Sequence, residues 1–270
     1  MLLLTKEKID MASLFRYSVH FADSPFWAFA IHDGHQVDPT AEQFILLDET
    51  QRLREEDPYT ASMVELPVNQ LFVATSRFQL DVNRKVEDSV YLRPDQAWGL
   101  EVWRDTLPST ILQQLYDEHQ KFYQQIDSYI QHTIDKHGFF VAFDVHSYNA
   151  QRISEEQPVD KQANPQINLG THYNNEKWRS VINGFINSVQ EQQLLGKAID
   201  IRENVKFKGG YLAQHILQKF RDRGCVLSIE FRKDFMNEWT GLPYQPVILE
   251  YKQLLLHTLK DLQKLDIYGV

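Results

Sequence analysis

Three histidines in two short segments are the residues of this sequence best suited to hold a metal ion. His32 and His35 form a His-x-x-His turn, and His146 lies in the segment Asp144-Val145-His146-Ser147. Imidazole is a common neutral ligand of zinc, and catalytic zinc sites use three protein ligands plus water. Asp144 can accept the second ring N–H of a ligating histidine or be a ligand itself. We therefore predict one divalent metal, zinc, on His32, His35 and His146; the alternative is a set of ordinary polar loop residues.

Glu230 is the candidate for general acid–base chemistry. It directly follows the apolar run 225–229, and a carboxylate at the edge of a buried strand must be paired, exposed or functional. Beside a metal it would act as the general base and then as the acid to the leaving amine. The alternative is a salt bridge to Arg232 or Lys233.

The loop over 76–84 mixes arginine, aspartate and asparagine after a predicted strand. Arginine binds carboxylates bidentately through its planar guanidinium group. We therefore predict that Asn83 and Arg84 hold a substrate carboxylate, that Arg77 binds a second one, and that Asp81 holds an arginine in place. Taken alone, the loop is better interpreted as a solvated charged segment.

These residues must be brought together by the elements that precede them. Apolar runs predict strands over 26–31, 71–75, 139–145 and 225–229. Helical spacing predicts helices over 41–54, 109–137, 178–195, 211–223 and 247–265. Strands that alternate with helices indicate a mostly parallel sheet covered on both faces. Because ligands bind beyond the carboxyl ends of such strands, the three histidines and Glu230 should meet at one rim.

Composition narrows the class of protein. The 270 residues are 43% hydrophobic and 24% charged, an ordinary globular composition, and we expect a single catalytic domain over residues 1–270. The net charge of −9 argues against a nucleic-acid partner, and no apolar run predicts a membrane partner. The single cysteine, Cys225, and the lack of a signal-peptide pattern predict a cytoplasmic location.

Taken together, the motifs resemble those of the N-formylglutamate amidohydrolase family, in the family's order, over about residues 26 to 240. The matching segments are His32-Asp33-Gly34, Ser76-Arg77 through Asp81-Val82-Asn83-Arg84, Asp144-Val145-His146-Ser147, Gly209-Gly210-Tyr211 and Ser228-Ile229-Glu230-Phe231. The resemblance implies a three-layer α/β/α fold with a mostly parallel mixed sheet, like that of the zinc carboxypeptidases (phosphorylase/hydrolase-like). In that wider group a His-x-x-Glu pair and a later histidine hold zinc, and His35 stands where the glutamate is expected.

The resemblance also implies roles for individual residues. It places His32, His35 and His146 on the metal, Glu230 as the general base, and Asn83 with Arg84 on a substrate carboxylate. We expect the residues that orient this set to be Asp81, Asp144, Ser147 and Tyr211.

The implied enzyme is a zinc-dependent amidohydrolase that removes an N-formyl or related N-acyl group from glutamate or a similar carboxylate-bearing amino acid. Two enzyme alternatives keep the site but change the substrate: a small carboxypeptidase-like peptidase and another N-acyl amino acid deacylase. A third alternative is a non-catalytic sensor of metal or carboxylate, although a sensor has no need of a general base such as Glu230.

Overall fold

The computed structural model describes residues 13–267, and a seven-stranded sheet lies at its centre. The described residues contain these seven strands and two further short ones. In chain order they are β1 (Tyr17–His20), β2 (Phe26–Ala30), β3 (Asn69–Val73), β4 (Phe140–Tyr148), β5 (Ile167–Gly170), β6 (Gln193–Leu194), β7 (Lys197–Ala198), β8 (Ile201–Glu203) and β9 (Gly224–Arg232). Their order in the main sheet is β1-β3-β2-β4-β9-β5-β8, and β6 pairs with β7 separately. The four strands β3, β2, β4 and β9 run parallel, while β1 and β5 lie antiparallel to β3 and β9.

Helices cover both faces of this sheet. They are α1 (Pro39–Glu42), α2 (Glu49–Glu55), α3 (Thr60–Met63), α4 (Ser109–His137), α5 (Arg179–Gln190), α6 (Tyr211–Phe220) and α7 (Gln245–Leu262), with 3-10 turns at Val86–Asp88, Pro94–Gln96 and Glu176–Trp178. Apolar residues of α3, α5 and α7 pack against one face of the sheet, and those of α4 and α6 pack against the other. The predicted three-layer, mostly parallel α/β fold is therefore confirmed. No helix in residues 13–267 has the length and apolarity that a membrane crossing requires.

The helix α4 has the bounds that its sequence predicts. Buried side chains recur at three- and four-residue steps, among them Leu115, Phe122 and Ile126, which is the pattern of a helix packed on a core. Gly138 ends the helix in the left-handed region at φ 84°, where its N–H bonds the carbonyl of Ile134 at 2.7 Å. The next strand, β4, begins two residues later, so this helix leads directly into the centre of the sheet.

The predicted helix over 41–54 is wrong, because the segment forms the two short helices α1 and α2. Asp48 starts the second one with a capping box: its side chain accepts from the Gln51 N–H, and the Gln51 side chain accepts from the Asp48 N–H. The chain leaves α2 after Glu55 and returns to the sheet, where the Asp57 N–H donates to the His32 carbonyl at 2.9 Å. The short helices thus bring an acidic segment to the end of β2.

The strands β4 and β9 extend further than the predicted runs over 139–145 and 225–229. Their parallel pairing continues to Tyr148 opposite Arg232. As a result, His146 and Glu230 lie within strands and not beyond their ends. The side-chain alternation of the strands, and not the position of their ends, puts both residues on the same face of the sheet.

Candidate active site

One face of the paired strands β4 and β9 carries a strip of polar side chains. Asp144 lies opposite Ser228, and His146 lies opposite Glu230. Because successive side chains of a strand point to opposite faces, these four share a face while residues between them, such as Val145, pack in the core on the other side. The strip lies on the face that α4 and α6 cover.

Next to this strip, three buried side chains converge on one point. His32, Asp57 and His146 each offer a ligand atom within 4.8 Å of the other two. Asp57 Oδ2 lies 3.1 Å from His146 Nδ1 and 3.4 Å from His32 Nδ1, and the centres of the two imidazole rings are 4.9 Å apart. Two imidazoles and one carboxylate are a donor set that zinc accepts in catalytic sites.

The outer nitrogen of each ring is held by a separate buried carboxylate. His32 Nε2 donates to Asp81 Oδ1 at 2.7 Å, and His146 Nε2 donates to Asp144 Oδ1 at 2.9 Å. Carboxylate partners of this kind select the tautomer and fix the orientation of histidines that bind a metal. Both Nδ1 atoms are left to face Asp57, so all three donors point at the same place.

The electrostatics of the group favour a positive charge at its centre. Burial lowers the pKa of His146, but Asp144 and Asp57 outweigh burial and hold that pKa well above its usual range. Burial raises the pKa of Asp57, yet the hydrogen bonds with His146 and His32 outweigh it and hold the pKa below its usual range. A site that attracts a proton this strongly also attracts a metal ion, and the residues present therefore fit a divalent cation.

His35 does not belong to this group, which corrects the ligand set predicted from the His-x-x-His turn. Its Nδ1 pairs with Glu56 Oε2 at 2.5 Å, and the ring is about one third exposed. The second oxygen of Glu56 accepts from the Ser76 hydroxyl at 2.5 Å. His35 therefore lies outside the candidate ligand group and helps to hold the segment that carries Asp57, which is the third member of that group.

Asp57 is the functional residue that sequence reasoning missed. The available signal was the acidic run Glu55-Glu56-Asp57 immediately before Pro58, which reads as an exposed turn. All three carboxylates are buried, and each has a partner of its own: Arg152 for Glu55, Ser76 and His35 for Glu56, and the two histidines for Asp57. A run of charges gives no indication of its burial when its partners are distant in the sequence.

Glu230 lines the same site without a salt bridge to its neighbours in the chain. Arg232 pairs with Asp234 at 2.6 Å, and Lys233 donates to the Glu56 carbonyl at 2.7 Å. Burial raises the pKa of the Glu230 carboxyl to about 8, against the opposing effect of His146 and with the support of Asp57. A carboxyl group that titrates close to neutral pH can both accept and donate a proton.

The loop after β3 brings Asn83 and Arg84 to the opposite side of the site. Asn83 Oδ1 accepts from the Leu212 N–H at 2.9 Å, and its Nδ2 faces His146 Nε2 at 3.4 Å. Arg84 is about half exposed, and its Nε is 3.9 Å from Asp81. His119 on α4 donates to the Arg84 carbonyl at 2.9 Å. The backbone of this pair is thus fixed while the Arg84 guanidinium stays open to the solvent.

The remaining predicted residues surround this set. Arg77 is mostly buried and directs its donors at protein acceptors: Asp81 Oδ2 at 2.7 Å and the Tyr91 hydroxyl at 3.3 Å. The Ser147 hydroxyl donates to Asp57 Oδ1 at 3.2 Å. Tyr211 begins α6 and lines the cleft above the site. The hydrogen bonds of Arg77 are therefore directed at Asp81 and Tyr91 more than at the open space of the cleft.

The open space is a cleft of about 620 Å³ above these residues. Its carboxylates are Glu55, Asp57, Asp88 and Glu230, whereas its cationic residues are Arg77, Arg84, Lys85, Arg152, Lys206, Lys208 and Lys233. Cations outnumber carboxylates here although the whole chain carries a charge of −9. A cleft of this composition attracts small anions.

Comparison with known proteins places this geometry in a family. The family model of N-formylglutamate amidohydrolase matches residues 24–236. The solved N-formylglutamate amidohydrolase from Ralstonia eutropha JMP134 is 14% identical, with a TM-score of 0.72 over 94% of this chain and 99% of its own. A gene product from Agrobacterium tumefaciens is also 14% identical, with a TM-score of 0.66 over 92% and 94% of the two chains. At this identity the solved structures establish a shared fold. Comparison with the curated proteins finds no match.

Proposed function

Because the chain belongs to the N-formylglutamate amidohydrolase family, we propose that it is a metal-dependent amidohydrolase. Its substrate would be glutamate, or a similar carboxylate-bearing amino acid, with an N-formyl or related N-acyl group. The observation that carries this proposal is the buried group of His32, Asp57 and His146 with Glu230 beside it on the neighbouring strand. Ligand and acid–base groups that converge in one cleft are the arrangement that hydrolysis of an amide requires.

His32, Asp57 and His146 would hold the divalent ion, which we expect to be zinc; when bound, such an ion polarises the substrate carbonyl and lowers the pKa of water. The chain's own part is to fix the donors. Asp81 and Asp144 keep both imidazoles in the tautomer whose Nδ1 atoms face inward.

Glu230 would move the proton that the reaction requires. Its carboxylate takes a proton from the water whose oxygen attacks the acyl carbon, and it returns that proton to the nitrogen as the C–N bond breaks. For an N-formyl substrate the products are formate and the free amino acid. The raised pKa of this carboxyl, about 8, makes its carboxylate form a stronger base than an ordinary glutamate.

Asn83 and Arg84 would hold a substrate carboxylate. The half-exposed Arg84 guanidinium can form a bidentate pair with it, and Asn83 Nδ2 already faces the ligand group at His146. Arg77 would support this end of the substrate through Asp81, or bind a second carboxylate as the sequence predicts. The cationic lining of the cleft would raise the local concentration of a dianionic substrate such as N-formyl-L-glutamate.

Replacement of Glu230 tests the acid–base role. We expect Glu230→Gln to lower kcat for N-formyl-L-glutamate by about 10²- to 10⁴-fold, because the amide cannot accept the proton, while metal content stays unchanged. Glu65→Gln is the matched control, since Glu65 is exposed, pairs with Lys252 and is not among the residues that line the cleft. Full turnover in Glu230→Gln would contradict the mechanism, and a metal-loaded wild type without any amidase activity would favour a sensor.

A further inference from the structure

A side groove of about 390 Å³ opens next to the cleft. Its lining residues are Gln51, Arg54, Glu55, Trp98, Leu100 and Arg152. Glu55, Trp98 and Arg152 also line the cleft, so the two spaces adjoin each other. Glu55 lies two residues before Asp57 in the chain, so the side groove adjoins the segment that carries this member of the ligand group.

Trp98 stands at the junction of the two spaces in an unusual backbone conformation. Its φ is 54°, in the left-handed region that bulky residues rarely adopt, and its side chain is 43% exposed. Ring contacts with Phe78 and Tyr91, each at 6.3 Å between centroids, hold the indole in place. The guanidinium groups of Arg77 and Arg152 lie over its ring at 4.9 and 5.9 Å from the centroid. Strained conformations of this kind persist where the surroundings fix them, and they concentrate at functional sites. The fold thus presents an aromatic surface at the cleft.

The charged residues of the side groove are engaged with the protein itself. Arg152 donates to both carboxylate oxygens of Glu55, at 2.7 and 2.8 Å. Arg54 donates to the carbonyls of Glu238 and Gln151 and lies over the Trp239 ring at 3.7 Å. Little free charge is left to bind an ionic group. The exposed part of the Trp98 indole, together with Leu100, is therefore the apolar surface that the side groove offers.

We propose that the side groove is a subsite for a planar aromatic acyl group on the substrate, and that Trp98 is the residue that recognises it. The inference rests on the proposed function: with a carboxylate on Asn83 and Arg84 and the scissile carbonyl at the ligand group, the acyl part extends toward Glu55. A ring there contacts the exposed part of the indole in the offset or edge-to-face geometry that aromatic pairs prefer. Hydrolysis would release an aromatic carboxylic acid and the amino acid, with water supplying both the hydroxyl and the proton.

The test compares binding of three ligands to the zinc-loaded full chain carrying Glu230→Gln, so that turnover does not interfere. The ligands are N-benzoyl-, N-cyclohexanecarbonyl- and N-formyl-L-glutamate, titrated calorimetrically. We expect the benzoyl compound to bind at least about tenfold more tightly than the other two. Trp98→Gly should remove this preference, and glycine suits the left-handed backbone at this position. Trp98→Phe should keep part of it, and Leu249→Ala, an exposed residue outside the groove, should keep all of it.

Equal binding of the benzoyl and cyclohexanecarbonyl compounds, or an unchanged preference in Trp98→Gly, would overturn the subsite. Turnover of N-formyl-L-glutamate by the chain without substitutions is measured separately. Turnover without a benzoyl preference rejects the subsite alone. A benzoyl preference lost in Trp98→Gly, without turnover of any of the three compounds, rejects the proposed function and leaves the subsite standing.

Discussion

At the scale of single residues, the site depends on carboxylates that hold histidines. The contact between Asp144 and His146 could be predicted, because residues two apart in a strand share a face. The contact between Asp81 and His32 joins residues 49 positions apart, and only the folded chain brings them together. The same holds for Asp57 and its partner His32, because the helices α1 and α2 lie between them in the chain. Local spacing therefore predicted two members of the candidate ligand group, His32 and His146, and placed His35 where the structure has Asp57.

Asp144→Asn tests whether this orientation matters for the metal. Asp144 binds His146 through Oδ1 and the Ser228 hydroxyl through Oδ2, at 3.1 Å. Loss of the charge should weaken zinc affinity by about 10- to 100-fold in competition with a chelator. Ser228→Ala removes a partner of the same carboxylate but leaves the contact with His146, so it should change affinity much less. Equal losses in the two variants, or none in Asp144→Asn, would contradict the role of Asp144.

At the scale of elements, long periodic segments were predictable and short ones were not. The 29-residue helix α4 has many turns that repeat the same pattern and a glycine that ends it. The short strands β5 and β8 have four and three residues, too few for alternation to stand out. Their place in the sheet depends on the pairing of β5 with β9 and of β8 with β5. The helix α6 was predicted over 211–223 and spans Tyr211–Phe220, but the contact of its first turn with Asn83 from a distant loop could not be predicted.

Gly210→Ala tests this coupling between α6 and the loop after β3. A Cβ at residue 210 would come within 2.3 to 2.6 Å of the Asn83 carboxamide, so Asn83 would have to move. A displacement of this size should lower kcat/KM for N-formyl-L-glutamate by about 10²-fold, with metal content retained. Gly138→Ala is the control: nothing lies within 4 Å of its added Cβ, and its positive φ of 84° affects stability only. An unchanged kcat/KM in Gly210→Ala would show that Asn83 does not position substrate.

At the scale of the whole molecule, the net charge of the chain is negative, whereas cationic residues outnumber carboxylates in the lining of the cleft. The count of −9 predicts the absence of a nucleic-acid partner, but a count carries no positions. Lys206 and Lys208 come from one side of the cleft, Arg84 and Lys85 from another, and only the fold brings them to the same mouth. The ordered motifs, by contrast, are a property of the whole chain that the sequence displays directly. These motifs predict the family without any information on contacts between residues.

The central claim is that one divalent ion is held by His32, Asp57 and His146, with His35 outside the site. Elemental analysis of purified wild type, Asp57→Ala and His35→Ala, each incubated with zinc and desalted, tests it most directly. We predict about one zinc per chain in the wild type and in His35→Ala, and loss of most of it in Asp57→Ala, since a catalytic site needs three protein ligands. Zinc retained in Asp57→Ala but lost in His35→Ala, or no zinc in the wild type, would contradict the claim.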